Sequence, residues 1–145
     1  MSKKFIKIIA VIIVVATLMS SALSTAALAA ELRESAYIAS MNAEIVAAGS
    51  GKVRIEFAVT GTGIMTQIGA NVIRIYTSSG TLVEIYGYYN AGYEDMMGYN
   101  KGRHSGDITH SGTAGQSYYA VVTGYAKNSS GSDSKIYTTS TITAV

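Results

Sequence analysis

A regular alternation of apolar and polar residues between positions 52 and 60 constrains the fold more than any other feature of this chain. Apolar side chains occupy every second position, at Val53, Ile55, Phe57 and Val59. Successive side chains of a strand face opposite sides of the sheet, so this period of two predicts a strand with one buried face. Glycine-rich triplets at 49–51 and 61–63 flank the run and predict turns.

The same pattern, interrupted by small polar turns, predicts six further strands. They cover residues 37–47, 68–77, 82–89, 106–110, 117–127 and 135–144. A helix over residues 36–47 is the main local alternative, because that segment is rich in Ala and Glu. No helical segment is long enough to cover a sheet, so two sheets must cover each other. We therefore predict a single all-β domain, an antiparallel β-sandwich of about seven strands.

The first 29 residues have the three parts of a secretory signal. Three lysines precede an apolar run over residues 8–19, and a stretch of small residues ends in Ala27, Leu28 and Ala29. We predict a signal-peptide helix over residues 1–29, cleavage after Ala29, and a mature domain over residues 30–145. An uncleaved anchor is the alternative, but the Ser, Thr and Ala content after residue 19 is a poor match to a membrane span.

Composition narrows the location and partners of the mature domain. Cleavage would remove three of the eleven basic residues and leave eight against nine acidic ones, a formal net charge of −1. This balance gives no reason to expect nucleic acid or a membrane surface as a partner. The chain has neither cysteine nor proline, so disulfides, lipid attachment and a proline-containing wall-sorting signal are not expected. We expect a secreted, extracellular protein without a lipid or wall anchor.

Groups that could carry catalysis or hold a metal are few. His104 and His110 are the only histidines, with Ser105 and Asp107 nearby. Neighbouring side chains point to opposite faces of an extended segment, so these groups would not converge on a substrate or a metal ion. We predict no catalytic residue, no metal and no cofactor, and we interpret both histidines as exposed.

Tyrosine is the unusual feature of the composition, with eleven residues against two Phe and no Trp. Five of them fall within residues 86–99, hereafter the tyrosine segment: Tyr86, Tyr88, Tyr89, Tyr93 and Tyr99. Tyrosine among Gly, Asn and Ser is typical of recognition surfaces, because the rings offer contact area at low entropic cost. Packing within the sheet is the alternative, since cross-strand aromatic pairs stabilise strands. We expect Met96 and Met97 to fold back into the open side of the sandwich.

The C-terminal third resembles the E–F–G region of fibronectin type III domains. The pattern comprises Ile108, a turn at residues 112–115, Tyr118, and small or apolar residues at every second position up to Ala126. The resemblance implies an immunoglobulin-like sandwich in which the Tyr118 hydroxyl bonds to the chain upstream. The expected Trp and Pro residues are missing. The mature chain is also similar to a group of short secreted proteins of Gram-positive gut bacteria, which implies export and fold but no activity.

These observations favour a secreted, non-catalytic binding or adhesion domain of bacterial type. Its partner would be a glycan, a wall polymer or a protein, recognised through the tyrosine segment. The alternative function is a structural surface or matrix subunit that self-associates by pairing of edge strands, because the last predicted strand carries a single charge, Lys135, near its start.

Overall fold

The computed structural model describes residues 35–145, which form one compact unit. The predicted signal peptide, including Ala27 and Ala29, lies outside the described residues. Nine strands and one short 3-10 helix make up this part of the chain. They are β1 Ile38–Gly49, β2 Lys52–Met65, β3 Gln67–Thr77, β4 Leu82–Gly87, the 3-10 helix Glu94–Met96, β5 Met97–Gly98, β6 Lys101–Ser111, β7 Ser117–Asn128, β8 Gly131–Thr138 and β9 Ile142–Thr143.

The strands form two antiparallel sheets, so the predicted all-β class is confirmed. Sheet 1 has the order β1-β2-β6, and sheet 2 has the order β4-β3-β7-β8. The short strands β5 and β9 pair with β3 and β7, in line with the outer strands β4 and β8. The inner faces of the two sheets contribute to a common core, which is the arrangement of a β-sandwich.

The alternation that predicted β2 supplies much of this core. Val53, Ile55, Phe57 and Val59 are each at most 3% exposed. The first three pack against inward residues of sheet 2 that include Ile73, Ile75, Ala120 and Val122, all 0% exposed. Val59 packs in a second cluster with Ile68 and Ala126 of the same sheet. Burying one aliphatic side chain of this size contributes about 1.5–3 kcal/mol. The hydrophobic effect therefore fixes the face that each strand turns inward.

Tyr118 links the two sheets at one end of the sandwich. Its ring is 4% exposed within the main core, and its hydroxyl accepts a 2.9 Å hydrogen bond from the backbone N–H of Thr113. This is the type of contact that the resemblance to fibronectin type III domains implies. The adjacent Tyr119 points to the other face of sheet 2, where it stacks on Tyr76 with ring centroids 5.2 Å apart.

Two predicted boundaries were wrong. Residues 61–63 are part of β2 instead of a turn, and the ladder with β6 is irregular there, between Thr60 and Met65. The predicted short strand at 106–110 is the eleven-residue β6, which pairs with β2 along its length. In both cases cross-strand pairing extends a strand past residues of weak strand propensity. The predicted first strand is confirmed as β1, which begins at Ile38, so the helical alternative is excluded.

The last predicted strand is also divided, into β8 and β9, and Thr139 lies in the break. The backbone N–H of Thr139 donates to the Ala120 carbonyl oxygen at 2.9 Å. The Thr139 hydroxyl accepts from the Ala120 N–H and donates to the Ser140 carbonyl oxygen, both at 2.9 Å. A side chain thus replaces the backbone acceptor that an uninterrupted strand would offer to Ala120.

We predict that Thr139→Val lowers the free energy of unfolding by about 1–3 kcal/mol, because the buried Ala120 N–H loses its acceptor. Thr139→Ser keeps the hydroxyl and serves as the control, with a smaller loss from the missing methyl group. Urea denaturation of both variants would measure the difference. A Val variant as stable as the wild type would show that the hydroxyl does not hold the end of β8.

Candidate binding surface

The tyrosine segment leaves sheet 2 at the end of β4 and returns to sheet 1 at the start of β6. Between them lie a turn, the 3-10 helix and the short β5. Met96 and Met97 are 2% and 4% exposed, and Met96 belongs to the main core, as predicted. The two methionines therefore anchor the segment in its middle. Four of its tyrosines precede this anchor in the sequence, and Tyr99 follows it.

Tyr86 and Tyr93 form a pair that packs against the core. Their ring centroids are 4.9 Å apart, with planes inclined at 54°. The Tyr86 hydroxyl lies 2.9 Å from His110 Nδ1. Burial, followed by the negative charges of ionised Tyr93 and Glu84, raises the pKa of Tyr86 to about 12. These contacts make Tyr86 a neutral structural group at physiological pH.

The prediction that both histidines are exposed was wrong for His110. Its ring is 5% exposed and makes edge-to-face contacts with Tyr86 and Tyr118. Its Nε2 is buried without a hydrogen-bond partner among residues 35–145. Burial, only partly opposed by the negative charge of Glu84, lowers the pKa of His110, so the ring is neutral at pH 7.

His104 holds a second point of the tyrosine segment. Its Nε2 lies 2.7 Å from the carbonyl oxygen of Asp95, where it can donate, and its ring faces Phe57. Gly98 permits this approach, because a Cβ there would lie 2.6 Å from His104 Nδ1. The two histidines of β6 therefore fasten the segment to sheet 1 at Tyr86 and at Asp95.

The Tyr89 ring lies against the backbone of sheet 2 at Gly87. A Cβ on Gly87 would run into Cζ, Cε1 and Cε2 of the Tyr89 ring. The nearest atom is Cζ, with Cε1 and Cε2 on either side of it, so Gly87 lies against the hydroxyl end of the ring. Tyr89 is nevertheless 66% exposed, and Tyr88 contacts it edge-to-face with ring centroids 5.7 Å apart. The ring is therefore supported by the sheet at Gly87, while most of the residue is open to solvent.

The structure therefore does not bring the five predicted tyrosines together on one surface. Tyr86, Tyr88 and Tyr93 pack against the core, in agreement with the alternative that these tyrosines pack within the sheet. Tyr89 and Tyr99 are exposed, at 66% and 52%, as a recognition role requires.

The outer face of sheet 2 is a larger surface that our sequence analysis missed. The register places outward-facing residues of four strands side by side: Ile85 on β4, Arg74 and Tyr76 on β3, Tyr119, Val121, Thr123 and Tyr125 on β7, and Ile136 on β8. Gly87, which supports Tyr89, lies on the same face, paired with Val72. The sequence signal was β7 itself, because residues 118–126 lack any charge and offer apolar or aromatic groups to both faces.

The outer face of sheet 1 is charged by contrast. Glu44, Glu56 and Asp107 are direct neighbours across β1, β2 and β6. Arg54 relieves part of the repulsion through a 2.7 Å ion pair with Glu56. Ser105 and Asp107 lie on this outer face, whereas His104 points inward, so the three do not converge. Among the described residues, no group of three or more His, Asp or Glu side chains is placed to hold a metal ion.

Comparisons with known proteins identify no relatives. No protein family, curated protein or solved structure matches this chain. Within residues 35–145, no helix is long and apolar enough to cross a bilayer.

We predict that the free energy of unfolding decreases through His110 as the pH falls from neutrality past 6.5, the ordinary pKa of histidine. Its pKa is lower in the folded protein, so over this range the unfolded chain binds more protons, and stability is lost as the pH falls below the unfolded value of 6.5. One such group changes stability by at most about 1.4 kcal/mol per pH unit. Denaturation of the wild type and of His110→Gln at several pH values would measure it. Equal pH slopes in the two proteins would contradict the prediction.

Proposed function

We propose that this chain is an exported, non-catalytic binding domain that recognises a carbohydrate through the outer face of sheet 2, with Tyr89 as its central contact. The observation that carries the proposal is the supported ring of Tyr89, which rests on Gly87 while the residue is 66% exposed. The partial negative charge on an aromatic face attracts the polarised C–H groups of a sugar ring. A ring fixed before binding loses little entropy on contact.

Polar groups near Tyr89 complete the proposed site. Arg74 lies two residues along β3 from Val72, the partner of Gly87, and Thr123 of β7 is the partner of Val72 on the other side. Guanidinium and hydroxyl groups can bond to sugar hydroxyls, while the flat, largely uncharged sheet suits an extended polymer. A bacterial wall polymer or a host glycan would present such a chain.

The partners of the two histidines support a role without catalysis. His110 is buried against Tyr86, and His104 is bonded to the Asp95 carbonyl oxygen. Both rings are thus engaged in holding the fold. We also propose that the domain is related to fibronectin type III domains, which the strand orders of the two sheets and the Tyr118 contact support. Export after cleavage at Ala29 is supported by the sequence pattern.

We predict that Tyr89→Ala weakens carbohydrate binding by about tenfold or more, since aromatic stacking contributes about 0.5–1.5 kcal/mol beyond the buried area. The melting temperature should stay within about 2 °C of the wild-type value, because Tyr89 lies on the surface. Binding would be measured by pull-down on purified peptidoglycan, teichoic acid-bearing walls and mucin, and by titration with soluble oligosaccharides.

Three variants separate the site from general effects. Tyr89→Phe keeps the ring and should keep most of the affinity. Gly87→Ala should weaken binding without touching the ligand, because its Cβ displaces the Tyr89 ring. Tyr99→Ala removes an exposed tyrosine elsewhere and is the matched control. Full binding by Tyr89→Ala, or no binding of the wild type to any of these carbohydrates, would contradict the proposal.

A further inference from the structure

More than half of the exposed large hydrophobic side chains of the described domain lie on the two edge strands of sheet 2. Nine large hydrophobic residues are exposed within residues 35–145, and five of them lie on the edge strands: Leu82, Val83 and Ile85 on β4, and Ile136 and Tyr137 on β8. Ile136 is 68% exposed. An edge strand with unpaired backbone groups and apolar side chains is a template for a further strand.

Within the described residues each edge is open over a stretch of similar length. On β8, Asp133 accepts hydrogen bonds from the Ser35 hydroxyl and the Tyr37 N–H, and the Tyr37 ring lies against Gly131. These contacts cover the start of the strand and leave residues 134–138 exposed. On β4, residues 82–85 are exposed.

The directions of the two edge strands make the two edges complementary. Each neighbour in the order β4-β3-β7-β8 is antiparallel, so β4 and β8 run in opposite directions. A second copy in the same orientation, shifted sideways along the sheet, therefore brings its β4 antiparallel to β8 of the first. No rotation of the copy is needed beyond the ordinary twist of the sheet.

Side-chain charge selects a register for this contact. The exposed stretch of β4 has a single charge, Glu84, and that of β8 has a single charge, Lys135. Neither makes an ion pair with another side chain among residues 35–145. Glu84 pairs with inward-facing Ile75 and Lys135 pairs with inward-facing Gly124, so both lie on the same side of the sheet. Opposite charges directly across a strand pair stabilise it.

We propose that the protein assembles head to tail with copies of itself, through antiparallel pairing of β8 of one copy with β4 of the next and with Lys135 opposite Glu84. In this register Ser134 lies opposite Ile85, and Ile136 and Tyr137 lie beside Val83 and Leu82, where β4 has a bulge between Glu84 and Leu82. The contact uses two different edges, so it is open-ended and produces chains of copies.

The proposal can be tested on the mature protein, residues 30–145, by reversing the charge at one of the two edge positions. Lys135→Glu and Glu84→Lys each place like charges in the contact, which should weaken self-association by about tenfold or more. Mixing the two variants one to one restores opposite charges at every contact and should restore assembly. Lys127→Glu, an equal charge change on the non-edge strand β7, is the matched control and should assemble like the wild type.

Sedimentation velocity over a range of concentrations and salt would measure assembly, and circular dichroism would verify that each variant is folded. Chains in the wild type, loss in each single variant and recovery in the mixture would support the proposal. A wild type that stays monomeric at millimolar concentration would overturn it. So would single variants that assemble normally, or a mixture that fails to recover.

Discussion

The pairing of β3 with β7 is the contact on which the rest of the structure depends. The two strands share ten residue pairs and lie at the centre of sheet 2, with β4 and β8 on their outer sides. Their inward residues meet the alternating side chains of β2 across the core. A slip of one residue between β3 and β7 would turn the inward residues of one strand, either Ile73 and Ile75 or Val122, out to solvent, so burial holds the register.

The histidines of β6 connect the two sheets to the tyrosine segment, which is the least regular part of the described domain. The tyrosine segment has only a single 3-10 turn and a two-residue strand of its own. Its position is set by Met96 in the core and by the contacts of His110 and His104 with Tyr86 and Asp95. Tyr89 keeps its place on Gly87 because the chain on both sides of it is held by these long-range contacts.

Much of the fold could be predicted because alternation is a local signal. The pattern of β2 and the position of Tyr118 can be read directly from neighbouring residues. The length of β6 could not, because Gly102 and Gly106 give no strand signal, and the space beside Gly106 is filled by the Phe57 ring from β2. Partners far apart in sequence determine such features.

The candidate site was less predictable for the same reason. Tyr86 and Tyr89 look alike in sequence, yet one packs against a buried histidine 24 residues away and the other lies on a glycine. The outer face of sheet 2 could not be predicted without knowing the strand order, because this face combines residues of β4, β3, β7 and β8. The open part of β8 likewise depends on where Ser35 and Tyr37 meet Asp133.

The even number of antiparallel strands across sheet 2 affects how strongly a chain of copies would bind a polymeric ligand. Because each copy continues the sheet of the one before it, every copy in a chain would present its Tyr89 ring on the same face of one twisted sheet. Four strands at about 4.8 Å spacing give a repeat of roughly 19 Å between successive rings. A polymeric ligand lying along such a row would meet many weak contacts at once, and each bound copy would raise the effective concentration for the next.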